Sequence, residues 1–520
     1  MSSADSSGTI EINEYFSRAI LAVEAGKNVF VTGKAGTGKS TLLTHLRNTI
    51  NNNAVVLAPT GVAAVNVRGQ TIHSFFGFRP DITVAKVKKH FKTIRSSHLY
   101  KKLQTVIIDE ISMVRADLLD CMDTFLRMHG PLRNTPFGGV QLVFFGDLYQ
   151  LPPVVGREER EIFSTHYPSP YFFDAWGFRE LPIELIELEK IYRQKDEAFI
   201  RVLAGIRNRS IDDELLTFLN RRLQPSFIPS DRTPYVHLVT TNAKASEINA
   251  VRLKRLPGKP CTFQGQIRGN FDAHALPAPM ELELKVGSQV MLTNNDREGR
   301  WVNGTVGVVQ SIEEGDDGLV VLVTLETGET VDVWPYEWEM FRFSYNQASL
   351  RIESQTTGSY VQYPIILAWA LTIHKSQGKT FERVIVDMDR GAFAHGQTYV
   401  ALSRATSLEG LVLICPIEKK HLLLDWRIVR FLTRFQYEQS EKALSLADKK
   451  KLLQEAIDGK RSLAITYLKS SNEKSRRTIV PVRMGDMDYE GRQFFGVIAH
   501  DDLRGQERVF RVDRILEIGQ

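Results

Sequence analysis

Apolar and polar positions along this chain fall into two rhythms. Over roughly the first third, short apolar runs rich in β-branched residues alternate with helix-favouring stretches. EINEYFSRAILAVEAG predicts a helix ending at Gly26, and VFVTGKAGTGKSTLL (Val29–Leu43) predicts a buried strand, a glycine-rich turn and a helix. AVVLAPTGVAA follows as a strand, a Pro-Thr-Gly turn and the start of a small-residue helix. TVIIDE (Thr105–Glu110) and QLVFFGD (Gln141–Asp147) are apolar strands that each end in an acid. Strands alternating with helices predict a parallel sheet covered by helices, with ligands at the carboxyl ends of the strands. The stretch 77–102 has many Lys, His and Arg and no clear period, and reads as a small insertion outside the core.

A second α/β unit is predicted from about Leu188, with HLVTTNAKASEINAV as strand and helix, then VIVDM and GLVLICP as strands. Residues 262–360 alternate in a β rhythm with turn signals such as NGT at Asn303–Thr305, predicting an all-β insertion. The run 440–458, rich in Lys, Glu and Leu, reads as a helical connector. LAITYL, RRTIVPVRM, RQFFGVIAHDD and RVFRVDRILEI then predict a small β module. The predicted order is a first lobe over 1–187, a second over 188–438, a connector over 439–460 and a module over 461–520.

Composition narrows this picture modestly. The chain has 520 residues, 43% of them hydrophobic, which suits several ordinary globular cores. A net charge of +5 permits a polyanionic partner without identifying one. Cys121, Cys261 and Cys415 are far apart and lack His or Cys neighbours at metal-ligand spacing, so neither zinc nor a disulfide framework is expected. No apolar run approaches the roughly 20 residues a membrane span needs, and MSSADSSGTIEINEYF resembles no targeting segment. These features predict an intracellular, soluble protein.

The chemistry begins at Gly33, Gly38, Lys39 and Ser40, which fit G-x-x-x-x-G-K-[ST] in the strand–turn–helix setting that motif requires. Backbone N–H groups and the helix N-terminus would hold phosphates there. Lys39 would neutralise β- and γ-phosphates, and Ser40 would bind Mg²⁺. Asp109 is placed to hold the metal, and Glu110 to orient and deprotonate an attacking water. GDLYQLPPV puts Asp147 at a strand end and Gln150 within reach of a γ-phosphate. Arg193 in LEKIYRQ and Arg404 in YVALSRATS are candidates for the cations that a transferred phosphoryl group needs.

GKAGTGKST, APTGVAAVNVRGQTIHSFF, VIIDEISMV, FGGVQLVFFGDLYQLPPV, YRQ, ALTIHKSQGKTFERVIVD and YVALSRATS occur in that order. This set, over about Val29 to Pro416, resembles the motifs of superfamily 1 helicases, in the wording of the PIF-type branch related to RecD. The resemblance implies an α/β fold of two tandem RecA-like P-loop lobes with ATP and Mg²⁺ between them. It also implies an SH3-like β-barrel insertion in the second lobe, and 5′→3′ movement on single-stranded DNA by a working monomer. The implied ATP site comprises Gly33, Ala35, Gly36, Thr37, Gly38, Lys39, Ser40, Thr41, Gln150, Arg193, Gly378 and Arg404, with Ser40 and Asp109 on Mg²⁺. Lys39, Glu110, Gln150, Arg193 and Arg404 would be its catalytic groups. DNA contacts are implied at Thr60, Gly61, His73, Thr372, His374, Lys375 and Ser376. Phe75 and Phe76 could stack on bases, with core packing expected for at least one of them. The family places an adenine-reading glutamine before the phosphate loop; here the helix has none, and Asn13 is the amide that could replace it.

The C-terminal stretch resembles a WYL domain through ITYL, RTIVP and LRGQERVFRVDRI, although Gln493-Phe494-Phe495 stands where the naming motif belongs. Such domains are ligand- or nucleic-acid-binding regulators in bacteria, and Arg504, Arg508, Arg511 and Arg514 could line a cationic groove. The functional reading is an ATP-dependent helicase acting on tailed or structured duplex DNA. Two rivals stand beside it: a motor of the same fold that strips proteins or remodels DNA, and an ATP-switched ligand sensor.

Overall fold

The computed structural model describes residues 12–50, 53–94, 97–156, 163, 165–194, 196–230, 233–315, 318–388, 391, 394–469, 473–489 and 491–519. Residues 1–11 of the expected first lobe lie outside that set. The chain divides into two compact units, Met1–Ile206 with Asp212–Leu423, and Arg207–Ile211 with Leu424–Gln520.

The first unit begins with a six-stranded sheet. Its strands are β1 (Asn28–Gly33), β2 (Ala54–Ala58), β3 (Gln70–Thr71), β4 (Thr105–Ile108), β5 (Gln141–Phe145) and β6 (Ile183–Leu188). They lie in the order β3-β2-β4-β5-β1-β6, every pair parallel. Every residue of β4 and β5 is buried, as expected for strands covered on both faces. Helix α1 (Glu14–Glu24) starts at Asn13, whose side-chain oxygen accepts the Phe16 N–H at 2.9 Å. Helix α2 (Lys39–Thr49) follows the loop after β1 and buries Leu42, Leu43 and Leu46 against the sheet.

The stretch 77–102 departs from expectation. It forms helices Val84–His90 and Ser97–Lys102, and Phe78, Phe91 and Tyr100 join an aromatic cluster around Phe125. Ring centroids there are 4.7–5.8 Å apart. The segment is core after all: its anchors are too widely spaced to print a period among the lysines between them.

The second lobe is a four-stranded parallel sheet ordered Ala370–Thr372, Val236–Val239, Val384–Val386, Leu411–Leu413. Between its first two strands in sequence lies the β insertion. Five antiparallel strands there enclose Val290, Leu292, Trp301, Val309, Val321 and Val323. A long hairpin, Tyr336–Asn346 with Arg351–Gln362, extends from it. The hairpin reaches the first lobe, where Phe343 N–H donates to Gln70 Oε1 at 3.3 Å and Ile352 N–H to Asn53 Oδ1 at 2.8 Å.

The second unit is a five-stranded antiparallel sheet ordered Gln506–Arg511, Arg492–Asp501, Lys474–Tyr489, Leu463–Leu468, Ile515–Gly519. Pro481 is accommodated where the ladder shifts register between Pro481 and Arg483. Helix Leu446–Asp458 buries Leu453 among Ile465, Ile479, Val497 and Phe510, so this expected connector forms part of the module's core. No helix among the described residues is long and apolar enough to cross a membrane.

Arg477 and Asp501 form an ion pair with side chains 6% and 0% exposed. Arg477→Ala should cost about 3–5 kcal/mol, because it strands a buried carboxylate. Hydrogen exchange across Arg492–Asp501 should accelerate accordingly, and the double variant Arg477→Met/Asp501→Leu should recover most of the protection.

Candidate functional site

The loop from Gly33 to Gly38 is shaped by two glycines. Gly36 (φ 81°) and Gly38 (φ 86°) adopt left-handed backbone, and a Cβ on Gly36 would come within 2.5 Å of Arg193 Cβ. Gly38 is the N-cap of α2, so the loop's backbone N–H groups and the positive end of the helix share one concavity. Lys39 Nζ donates to the carbonyls of Gly33 (2.8 Å) and Lys34 (3.0 Å). It is thereby held over the loop, as a cation matched to phosphate must be. Ser40 and Thr41 face solvent at the start of the helix.

Asp109 and Glu110 follow β4, two strands from β1. Glu110 takes left-handed backbone at φ 48°, uncommon for a residue with a side chain and costing on the order of 1–2 kcal/mol. Its N–H donates to Asp109 Oδ1 at 2.9 Å, and Gln377 of the second lobe donates to Glu110 Oε2 at 3.1 Å. Burial pushes both carboxyls above their ordinary range; for Glu110 the Asp109 charge adds to this, and Lys39 opposes it in both. Asp147 is buried after β5, where Gln150 Nε2 donates to its Oδ2 at 3.3 Å.

The cations come from both lobes: Arg404 belongs to the second, whereas Arg193, expected there, is seated on the first, on the segment after β6, where the Tyr192 N–H donates to the Gly36 carbonyl at 2.8 Å and only the Arg193 guanidinium reaches across. Arg193 donates to the carbonyls of Ser403 (3.1 Å) and Gly378 (3.4 Å). Arg404, 1% exposed, donates to the carbonyls of Val400 (2.8 Å), Lys379 (3.1 Å) and Ser376 (3.3 Å) and to Ser403 Oγ (2.9 Å). Burial, and then the neighbouring Arg193, push its guanidinium down to about 9, so it stays charged at neutral pH. Three groups went unassigned in the sequence although their motifs were recognised. Tyr399 OH accepts the Ala35 N–H at 2.9 Å, Gln377 holds Glu110, and Gln194 braces the carbonyls of Ser403 (3.2 Å) and Ala405 (3.1 Å). Asn13, the candidate base reader, caps α1 and donates to Tyr192 OH at 2.9 Å, so its amide is already engaged.

These residues fit a nucleoside triphosphate with Mg²⁺. No cluster of three or more His, Cys, Asp or Glu at metal spacing occurs among the described residues. Mg²⁺ commonly relies on one or two carboxylates, substrate phosphates and water, which Asp109 and Ser40 suit.

The expected nucleic-acid contacts divide. Thr60, exposed after β2, caps the helix α3 (Gly61–Asn66), and Gly61 follows it. His374 and Lys375 are exposed on the turn after Ala370–Thr372. His73 is half-buried, with its basicity lowered by burial and then by Arg115. Thr372 and Ser376 are corrected: both are buried, Thr372 Oγ1 accepting the Lys375 N–H and Ser376 Oγ donating to the Ile373 carbonyl. They shape the turn from inside. Phe75 is corrected too, at 4% exposure packed against Phe76, Tyr100 and Phe343, and Phe76 is buried beside it.

In the second unit the four arginines do not share one strand face. Arg504 lies in a turn, Arg508 and Arg511 on opposite faces of Gln506–Arg511, and Arg514 in a 3₁₀ turn. Arg511 is paired with Asp513 at 2.6 Å and lies over the Phe494 ring.

A glycine-rich phosphate loop after β1, acids after β4 and β5, and a second parallel sheet whose lobe contributes Arg404 define a two-lobed, RecA-like P-loop protein. A family model for PIF1-like helicases matches residues 11–214, one for the UvrD-like helicase C-terminal domain matches 367–412, and one for the WYL domain matches 448–519. The chain is 34% identical to the ATP-dependent DNA helicase PIF1 of Homo sapiens, over 81% of this chain and 63% of the human protein. It therefore spans under two thirds of that relative's length. It is 30% identical to the ATP-dependent DNA helicase Pif1 of Campylobacter jejuni, over 73% of this chain and 87% of that one. Bacteroides Pif1 in complex with ADP-AlF4 superposes with TM-score 0.75 at 36% identity, covering 82% of this chain and 98% of that one. The same Bacteroides protein bound to ssDNA superposes at 0.57, with 36% identity and the same coverage. The chain belongs to the PIF1-like helicase family, with a C-terminal WYL domain.

The raised Glu110 carboxyl has a stability consequence. Because its folded-state value lies above its unfolded one, its contribution favours folding at low pH and is lost as pH rises through the folded value. Glu110→Gln should therefore stabilise the nucleotide-free protein by about 1–2 kcal/mol at pH 8, with the gain vanishing towards pH 4. Thermal unfolding across pH checks this.

Proposed function

We propose that this chain is an ATP-dependent DNA helicase that moves 5′→3′ on single-stranded DNA and separates duplex. The observation that carries the reading is the composite site, in which Tyr399 and Gln377 of the second lobe meet Ala35 and Glu110 of the first, and Arg193, seated beside the phosphate loop, reaches across to the segment that holds Arg404. A triphosphate bound at α2 would lie between Lys39 on one side and two arginines on the other. Ser40 and Asp109 would hold Mg²⁺, which would neutralise charge on the phosphates. Glu110, its proton affinity raised by burial, suits the role of base toward an attacking water, with Gln377 fixing its carboxylate. Charge developing on the transferred group would draw Arg193 and Arg404 from main-chain carbonyls, coupling hydrolysis to the approach and parting of the lobes.

DNA is the proposed track because exposed Thr60 in one lobe and exposed His374 and Lys375 in the other sit on turns after parallel strands. Hydroxyl, imidazole and ammonium groups there suit phosphate contacts without sequence preference. The Bacteroides relative's complex with ssDNA supports the same choice. Exposed Arg504 and Arg508 suit a C-terminal WYL domain that modulates DNA engagement.

Matched 5′- and 3′-tailed duplexes test the reading directly: separation should require the 5′ tail and ATP. Strong ATPase stimulation by single strands without separation would instead mark a strand-tracking motor. Arg193→Ala should lower hydrolysis by about 10³-fold or more with ATP affinity nearly unchanged. Single-turnover hydrolysis and nucleotide titration measure the two effects separately.

A further inference from the structure

Lys379 sits between the two arginines' anchor points and a different set of contacts. Its carbonyl accepts from Arg404 at 3.1 Å, and the preceding Gly378 carbonyl accepts from Arg193 at 3.4 Å. Its side chain leaves this loop altogether. The aliphatic stem lies against Gly304 in the turn of the β insertion, and Nζ donates to Asn303 Oδ1. Asn303 Nδ2 in turn donates to Asn66 Oδ1 at 3.3 Å, on the last turn of α3 in the first lobe. Asn303 is itself fixed by its N–H bond to Asn295 Oδ1 at 2.8 Å. No carboxylate pairs with Lys379 among the described residues, and desolvation pushes its ammonium down to about 8. A desolvated cation satisfied by a neutral amide is an unusual choice for packing alone.

The rest of α3 touches the same insertion. Gly61 lies against Ala275, and Val65 packs with Phe271, Trp338 and Tyr360. The helix therefore keeps its seat without Asn66, and the Asn66–Asn303–Lys379 chain adds a link from that helix to the loop on which Arg193 and Arg404 rest. In this arrangement Arg404 donates to four acceptors and Arg193 to two, all within the second lobe.

We propose that Asn303 is a positioning residue: it latches Lys379 to α3 and holds both arginines in a resting geometry until movement of α3 releases the loop. α3 begins at Thr60, a proposed DNA contact, so strand binding there would be reported to the arginines through this chain. The inference rests on the ATP-hydrolysis reading above and adds to it the route by which DNA stimulates turnover.

The test compares ATP turnover with and without saturating oligo-dT for wild type, Asn303→Ala, Asn66→Ala and Asn303→Asp, with thermal midpoints to confirm folding. Losing one hydrogen bond that stabilises the resting loop should raise the DNA-free rate about threefold to tenfold in both alanine variants. The DNA-saturated rate should change by less than about twofold, so the stimulation ratio falls. Asn303→Asp strengthens the bond to Lys379 and, with the Asn66 amide turned so that its Nδ2 donates to the new carboxylate, keeps the chain intact, so the DNA-free rate should stay at or below wild type. A purely structural role lowers both rates together, and that result, or unchanged DNA-free rates in both alanine variants, overturns the latch. Wild type that hydrolyses no ATP under either condition sinks the enzymatic reading and the latch with it.

Discussion

Charge taken out of water between two parallel sheets is the constraint on which the first unit depends. Lys39, Asp109, Glu110 and Asp147 lie beyond the carboxyl ends of strands in one lobe, with Arg193 on the segment after β6 beside them, and Arg404 comes from the second lobe. Each would be costly alone. Burial raises the two carboxyls beside each other and lowers Arg404, and only opposite charges and carbonyl dipoles make the arrangement tolerable. A site built this way is unstable when empty and well matched to a polyanion carrying a divalent cation. The left-handed backbone at Glu110 adds strain in the same place.

Main-chain carbonyls do the holding on the cation side. Arg404 is satisfied by Val400, Ser376 and Lys379, so the loop that follows Ala370–Thr372 is both the seat of the arginine and the continuation of the turn bearing His374 and Lys375. The proposed nucleotide and nucleic-acid roles therefore share one short segment. Buried Thr372 and Ser376 give that segment its shape, which is why hydroxyls expected on the surface are found inside.

The β insertion connects these parts differently. Its hairpin pairs with Gln70 and Asn53 at the edge of the first sheet, and its turn at Asn303 reaches both α3 and the Lys379 loop. An element that sequence patterning marks as an appendage is thus in contact with both lobes. In the second unit, Leu446–Asp458 shows the same effect on a smaller scale: its charged surface reads as a connector, while Leu453 is core.

Local chemistry was legible in the sequence wherever a short motif dictates its own conformation. The phosphate loop needs glycines before a helix, and strand ends carrying acids need an apolar run before them, so Gly33, Gly38, Lys39, Ser40, Asp109 and Asp147 could be placed from residues alone. The family resemblance extended this to Arg193 and Arg404. What could not be read were facts that depend on which surface meets which. The two-residue strand β3 and the half-polar β6 carry too little period to announce themselves. The aromatics of 77–102 are spaced too widely, and Phe75 shows no preference between base and core until Tyr100 and Phe343 cover it. The roles of Tyr399, Gln377 and the Lys379–Asn303–Asn66 chain arise from residues up to 364 positions apart. Side-chain hydrogen bonds across such distances leave no periodic trace in the chain, and only tertiary packing creates them.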